Sequence, residues 1–323
     1  MVKQIVKKII PSCFFGFFKK TIKRPDKFEK EISEFIGRGV APSHIGFLKK
    51  ITPLIKGKTV LEVGGSNFPR DLLFKTLGVK KWICVDYLEN WAKDREASTM
   101  GLSQLLDSSK KMNDFMVFPL KDAENNLNAC DYLKFHGDAT YIPENFYAQF
   151  DVVVSVNAFE HILTLPQVIE KIYSCLVKGG TFYTCFGPIW SCMCGHHYAG
   201  GKYHGVLKGY DITFNNAGKD GIPPFIHLLK NEKEVREYFK GKKLPFGQAQ
   251  IDCLCKWSYH TNEINRLFFE DYVEIMAESK FKKYKIKPFF GAKPEEKIFT
   301  RLCEKYPNYK HFDVYGVEIS AEK

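Results

Sequence analysis

Four short stretches of this 323-residue chain carry residue types that could hold a ligand together. The first is Val60-Leu61-Glu62-Val63-Gly64-Gly65-Ser66, an apolar run that ends in two glycines. A glycine turn after a strand lets backbone N–H groups approach a ligand more closely than side chains would allow. The second is Asp86, the last residue of Lys81-Trp82-Ile83-Cys84-Val85-Asp86, where a carboxylate can accept two hydroxyl hydrogens. The third is Gly137-Asp138-Ala139, and the fourth Asn157-Ala158-Phe159-Glu160-His161. Further along lie Gly195-His196-His197 and His227. Imidazole titrates near neutrality, so one of His196, His197 and His227 is a candidate general base or acceptor-binding residue, and His161 is a further candidate that could instead orient its loop.

The elements that must position these residues alternate. Helical spacing runs from Asp26 to Ile55, with a second short helix at His44–Leu54. A β-branched run, Thr59–Val63, is followed by a helix over Arg70–Leu77 and a strand over Lys81–Asp86. Residues 88–133 read as a polar insertion without a core pattern. Tyr132–His136 and Phe150–Val156 read as strands, the latter apolar on both faces as in a central parallel strand. A helix over Gln167–Val177, stopped by Gly179-Gly180, precedes a strand over Thr181–Phe186. After Trp190 the alternation gives way to loops, then resumes with a helix over Asn262–Ala277, a strand near Tyr284–Phe289, a helix over Glu295–Lys305 and a strand over Asp313–Ile319. This order predicts an α/β fold, a Rossmann-like seven-stranded mostly parallel sheet with an antiparallel terminal strand pair. An N-terminal helical extension and a loop-rich insertion after the fifth strand complete it. The expected organisation is residues 1–55 as a basic amphipathic extension with helices, 56–190 as the core, 191–260 as a substrate-covering insertion, and 261–323 as the helix and closing strands.

The order and spacing of these motifs over residues 55–190 resemble class I S-adenosylmethionine-dependent methyltransferases of the type 11-like group. The resemblance implies a cofactor, S-adenosyl-L-methionine, bound in the crevice at the carboxyl ends of the strands. It implies that Gly64, Gly65 and Ser66 form the loop beside the cofactor and that Asp86 accepts the ribose hydroxyls. Glu62 sits near the methionine amino end or holds the loop, Asp138 and Ala139 meet the adenine, and Asn157 and Phe159 line the donor pocket. The usual loop carries two further glycines where this chain has Ser66 and Phe68. Nicotinamide enzymes share a glycine loop, but the Gly-Asp-Ala and Asn-Ala-Phe-Glu-His segments favour the methyl donor.

The Gly-His-His run, with Ile222–Leu229 and Trp257–Leu267, is similar to a subgroup of bacterial methyltransferases of surface-polysaccharide biosynthesis. The acceptor implied is a small molecule or glycan precursor, methylated at a hydroxyl. The alternatives are an RNA methyltransferase and a non-catalytic binding protein that retains the fold. Cys192 and Cys194, with Cys253 and Cys255, raise the question of zinc. Each pair has one intervening residue rather than the two to four of structural sites, and a strand would bury Cys253 and Cys255 equally well, so no metal is assigned.

The chain carries a net charge of +11, but seven basic residues and no acidic one lie within 1–24. The remaining +4 is ordinary, and no RNA-binding module is recognisable, which argues against a nucleic-acid partner. Residues 1–24 mix lysines with Ile5, Ile9, Phe14 and Phe17, and suit peripheral contact with an anionic membrane surface or docking on the domain. Ten cysteines without a secretory cleavage pattern suggest reduced thiols and a cytoplasmic protein, which residues 1–24 could bring to the inner membrane surface. The oligomeric state is not legible.

Overall fold

The computed structural model describes residues 26–65, 68–87, 116–197, 222–240 and 248–323. The extension 1–24, Ser66 and most of the insertions therefore lie outside the described residues. The architecture is an eight-stranded sheet in the order β3-β4-β2-β1-β5-β6-β8-β7. The strands are β1 Thr59–Val63, β2 Lys81–Asp86, β3 Met116–Pro119, β4 Tyr132–His136, β5 Phe150–Val156, β6 Leu176–Phe186, β7 Lys283–Phe290 and β8 Val314–Glu322. Strands β1 to β6 pair in parallel, and β8 runs antiparallel to both β6 and β7. This is the expected Rossmann-like α/β sheet with an antiparallel closing pair. It has one strand more than expected: β3 extends the edge from within the segment read as a patternless insertion.

Alternation along the central strands explains why both faces are covered. Leu61, Val63 and Val153 point to one apolar cluster, Val60, Val152 and Val154 to the other, and all are buried. On the second face lies α2, His44–Ile55, which buries Phe47, Leu48, Ile51 and Ile55 at helical spacing. Each such side chain contributes about 1.5–3 kcal/mol on leaving water. Ahead of it, α1, Lys27–Ser33, is opened by Asp26, which accepts from the Glu29 N–H in a reciprocal capping box. The first face is covered by α3, Leu165–Cys175, through Val168, Ile169 and Ile172, and by α6, Phe269–Glu278, through Tyr272 and Met276.

Three boundaries differ from the sequence reading. Helix α3 ends at Cys175, and Leu176 already pairs with Phe150, so Gly179-Gly180 lie inside β6. The helix expected from Asn262 starts only at Phe269. Asn265 explains this: its side chain bonds the carbonyls of Phe159 and Ile162 and receives the Leu267 N–H and the Tyr272 hydroxyl, competing with helix formation. The segment around Cys253 and Cys255 is helical, in α5, Gln248–Cys255, which packs beside α4, Glu232–Phe239. Among the described residues no helix is long and apolar enough to cross a membrane.

Candidate active site

The chain winds from β1 outward to β2 and β4 on one side and to β5 and β6 on the other. The crevice between the carboxyl ends of β1 and β5 is thus the point where the winding direction reverses, where open α/β sheets hold their ligands. Two glycines form its floor. Gly64 has φ +78° and donates its N–H to the Val85 carbonyl at 2.9 Å. A Cβ on Gly64 would lie 2.3 Å from the Cβ of Ala158, and a Cβ on Gly65 would lie 2.5 Å from Oδ2 of Asp86. The loop is therefore wedged between the acid that ends β2 and the residue just beyond β5, with hydrogen-sized clearance on both sides. Phe68, which breaks the usual glycine pattern, is fully buried, stacked near Phe47 (6.4 Å) and edge-on to Trp82 (6.2 Å). Its carbonyl accepts the Tyr132 hydroxyl. The departure at this position anchors the loop's exit to the core.

Glu62 lies inside the sheet. It is 1% exposed, and its Oε2 accepts the indole N–H of Trp82 at 3.0 Å. Its register neighbours on β2 and β4 are Cys84 and Lys134. This makes it a positioning residue that ties β1 to β2 just below the loop. Glu62→Ala is expected to lower stability by about 1–3 kcal/mol, because the Trp82 donor loses that acceptor in a buried site. Glu62→Gln keeps an acceptor and should recover most of the loss. Urea unfolding of the two variants checks this, and an unchanged midpoint for Glu62→Ala would refute it.

The adenine-side expectations fall on neighbouring loops. Gly137 donates to the Asp86 carbonyl at 3.0 Å, and a Cβ on it would lie 2.7 Å from the Leu120 Cβ. Asp138 is exposed, and its Oδ1 accepts the Thr140 N–H at 2.8 Å, capping the 3-10 turn that begins at Ala139. Asn157 is exposed at the end of β5 with φ +49°. Phe159 points away into the core, its ring 5.6 Å from Phe182 and 5.5 Å from Phe186. Sequence reasoning passed over Tyr87, which follows Asp86, is 42% exposed and lies 5.4 Å from the His136 ring. An aromatic directly after a strand-end acid was the available signal.

The four histidines come together beside the crevice. His161 ends the 3-10 turn after β5, is exposed, and has Nδ1 2.6 Å from the Glu263 carbonyl oxygen. His197, on the turns after β6, has φ +51° and its Nδ1 2.8 Å from the Gly195 carbonyl oxygen. The rings of His161 and His197 are 5.0 Å apart, and those of His196 and His227 are 5.3 Å apart. His227 holds the Trp190 carbonyl through Nε2 at 2.8 Å. Gly195 makes this arrangement sterically feasible, since a Cβ there would lie 2.2 Å from the Trp190 carbonyl oxygen.

Burial sets the protonation of this group. It drives the conjugate acid of His197 down to about 3 and that of His227 to about 4, and pushes His196 well below its ordinary value. These three rings are neutral at pH 7, the form that can both donate and accept a hydrogen bond. They can orient a polar acceptor by hydrogen bonds. Only His161 of the four is exposed, so only its ring reaches water directly.

Glu160 was not singled out from sequence, yet its carboxylate is part of the group. It is 2% exposed, Oε1 accepts the Gly187 N–H at 3.2 Å, and burial raises its pKa. A carboxylate oxygen of Glu160 and ring nitrogens of His161 and His197 all lie within 4.8 Å of one another, close enough to share a metal ion. The cysteines do not join such a set among the described residues. Cys192 and Cys194 have their Sγ atoms 3.7 Å apart, and both are buried. Cys253 and Cys255 were expected on one face of a strand, but on helix α5 an i, i+2 pair points to opposite sides.

A family model described as a methyltransferase domain matches residues 105–184. No curated protein matches the chain. Among solved structures, an S-adenosylmethionine-dependent methyltransferase from Mesorhizobium loti is similar at 11% identity and TM-score 0.45, over 87% of this chain and 98% of that one. A phosphoethanolamine N-methyltransferase 2 from Haemonchus contortus, in complex with S-adenosyl-L-methionine, is similar at 13% identity and TM-score 0.44, over 98% of this chain and 61% of that one. A further methyltransferase, from Archaeoglobus fulgidus, is similar at 14% identity and TM-score 0.41, over 92% of this chain and the whole of that one. At this distance none of them bears on the acceptor.

Proposed function

We propose that the protein is an S-adenosyl-L-methionine-dependent methyltransferase that acts on a hydroxyl of a small molecule or glycan precursor. The observation that carries the reading is the glycine floor, which leaves no room for a Cβ between Asp86 and Ala158 at the point where the sheet reverses its winding. Such a cradle suits a ligand with vicinal hydroxyls and a charged tail that needs close backbone approach.

Each residue then has a part. Asp86 accepts the ribose hydroxyls, and the Gly64-Gly65 backbone lies along the cofactor with Ser66 beyond it. Asp138 and Ala139 meet the adenine; Oδ1 of Asp138 caps Thr140, which leaves Oδ2 for the exocyclic amine. Asn157 borders the donor pocket, and Phe159 supports it from the core. When bound, the cofactor supplies a methyl carbon made electrophilic by its sulfonium. The neutral rings of His196, His197 and His227 orient the acceptor, and the group formed by Glu160, His161 and His197 activates its hydroxyl. The histidines lie on loops after β5 and β6, next to the crevice rather than in it, as an acceptor site must for in-line transfer.

Two further segments fit this reading from sequence alone. The basic, apolar stretch 1–24 suits contact with an anionic inner membrane surface where glycan precursors are assembled, and the insertion 191–260, in part described, suits a cover over the acceptor.

Isothermal titration with S-adenosylhomocysteine is expected to give one-to-one binding that Asp86→Ala weakens about 10–100-fold, the equivalent of one or two charge-assisted hydrogen bonds. Wild-type protein that fails to bind it would overturn the reading. Incubation with labelled methyl donor and a small-molecule extract, followed by mass analysis of the labelled product, identifies the acceptor.

A further inference from the structure

We propose that Glu160, His161 and His197 form a binding site for a first-row divalent transition-metal ion. The existence of the site stands on geometry alone; its use, to lower the pKa of the acceptor hydroxyl, rests on the methyltransferase reading.

Donor placement comes first. Ligands at about 2.0–2.2 Å from one ion can be at most roughly 4.4 Å apart. The three donors lie within 4.8 Å of one another before any ion draws them in, and three ligands sharing one ion sit roughly 3.0–3.7 Å apart, so side-chain rotations that move the donors by up to about 1 Å close the set. The carboxylate of Glu160 is half committed: Oε1 is pinned by the Gly187 N–H, while Oε2 is buried and has no hydrogen-bond partner among the described residues. A buried carboxylate oxygen left without a donor is costly, and a cation is a partner that removes the cost.

The histidines are arranged as metal ligands are. Metal-binding imidazoles usually donate their other ring N–H to a carbonyl or carboxylate, which fixes the tautomer and the ring plane. His161 meets the Glu263 carbonyl through Nδ1, and His197 meets the Gly195 carbonyl through Nδ1. Both bonds select the tautomer whose Nε2 carries the lone pair. The loop that bears Glu160 and His161 is fastened from behind. The Asn265 N–H donates to the Glu160 carbonyl at 3.0 Å, and the Asn265 amide donates to the carbonyls of Phe159 and Ile162. Glu160 and His197 are buried while His161 is exposed, so an ion enters from the His161 side and keeps open positions toward solvent.

Two imidazoles and one carboxylate select the ion class. This set suits zinc, iron(II), cobalt(II) or nickel(II), whereas magnesium and calcium favour all-oxygen cages. The open positions accept an oxygen ligand such as an acceptor hydroxyl, whose pKa falls on coordination.

The test is titration of metal-free, full-length protein with cobalt(II), read by visible absorption. One equivalent is expected to bind with ligand-field bands, and zinc(II) should displace it. His161→Ala, a change at an exposed side chain, and Glu160→Gln should each weaken binding at least about 100-fold, the upper end of what loss of a mere supporting residue causes. Cys192→Ser/Cys194→Ser should leave it unchanged. Absence of stoichiometric binding, binding that survives His161→Ala, or binding lost in the double cysteine variant would each overturn the site. S-adenosylhomocysteine titration of the same metal-free sample separates the two claims. Cobalt binding without nucleoside binding sinks the methyltransferase reading but not the ion site, and the reverse result does the opposite.

Discussion

Gly64→Ala is expected to abolish measurable binding of S-adenosylhomocysteine, a loss of at least about 100-fold, and to lower the unfolding midpoint. Two effects combine. At φ +78° an alanine sits in the left-handed region, which costs about 1–2 kcal/mol. Its Cβ would also meet the Ala158 Cβ at 2.3 Å, a separation no real pair of carbons adopts, so the loop after β1 or the turn after β5 must move. Both border the crevice. Gly179→Ala isolates the first effect, because Gly179 has φ +77° with nothing within 4 Å of a Cβ, at the amino-terminal end of β6 away from the crevice. It should lower stability by about 1–2 kcal/mol and leave affinity alone. The double variant Gly64→Ala/Ala158→Gly isolates the second. With the opposing methyl gone, the nearest remaining atoms are 3.7 Å and 3.8 Å away, ordinary contact distances, so affinity should recover in part. If the double variant binds no better than Gly64→Ala, the close approach of the two loops is not what the glycine serves.

The features legible in the sequence were those that a short segment specifies by itself. The parallel strands announce themselves by β-branched runs, and Gly64-Gly65 and Asp86 sit at strand ends that these runs define. Where long-range contacts decide, the sequence was mute. Phe68 read as a lapse in the glycine pattern, and only its packing on Phe47 and Trp82 shows an anchor. Asn265 lay inside an apparent helix, but its amide is used to bind the loop that carries Glu160, and the following Arg266 adopts φ +56°. Strand β3 is an edge strand with half-exposed side chains, so it carries little of the alternation that marks a buried strand. The histidines were named individually, but their meeting is a property of two loops that adjacent parallel strands bring side by side. Glu160 drew no attention for the same reason: a carboxylate in a turn looks solvated until the turn is known to be buried.

Acid should destabilise this protein from about pH 6.5 downward, because His44 and His227, like His196 and His197, are held neutral by burial. His44 has its Nδ1 accepting the Ala41 N–H at 3.2 Å, so a proton there would remove an acceptor as well as charge a part-buried ring. Burial lowers its pKa to about 4. His227 is 3% exposed, keeps Nε2 on the Trp190 carbonyl, and is likewise lowered to about 4, chiefly by burial. In the unfolded chain both titrate near about 6.5. Between pH 6.5 and 4 the unfolded state therefore holds more protons than the native state, and stability falls as pH falls. The stabilisation is complete above pH 6.5 and gone below about 4. Each group contributes a slope of about 1.4 kcal/mol per pH unit within that window, and a total of about 3 kcal/mol. Glu160, whose pKa is raised, acts in the opposite sense and softens the loss. Since a domain is commonly stable by about 5–15 kcal/mol, the two histidines together can consume much of the margin by pH 4. Urea midpoints measured from pH 7.5 to 4 should show the decline, and His44→Gln, which cannot be protonated there, should take about 1.4 kcal/mol per pH unit off its slope, the share of one ring. A stability that stays flat from pH 6.5 to 4.5 would mean that these rings are solvated when charged and that the packing around them opens at no cost.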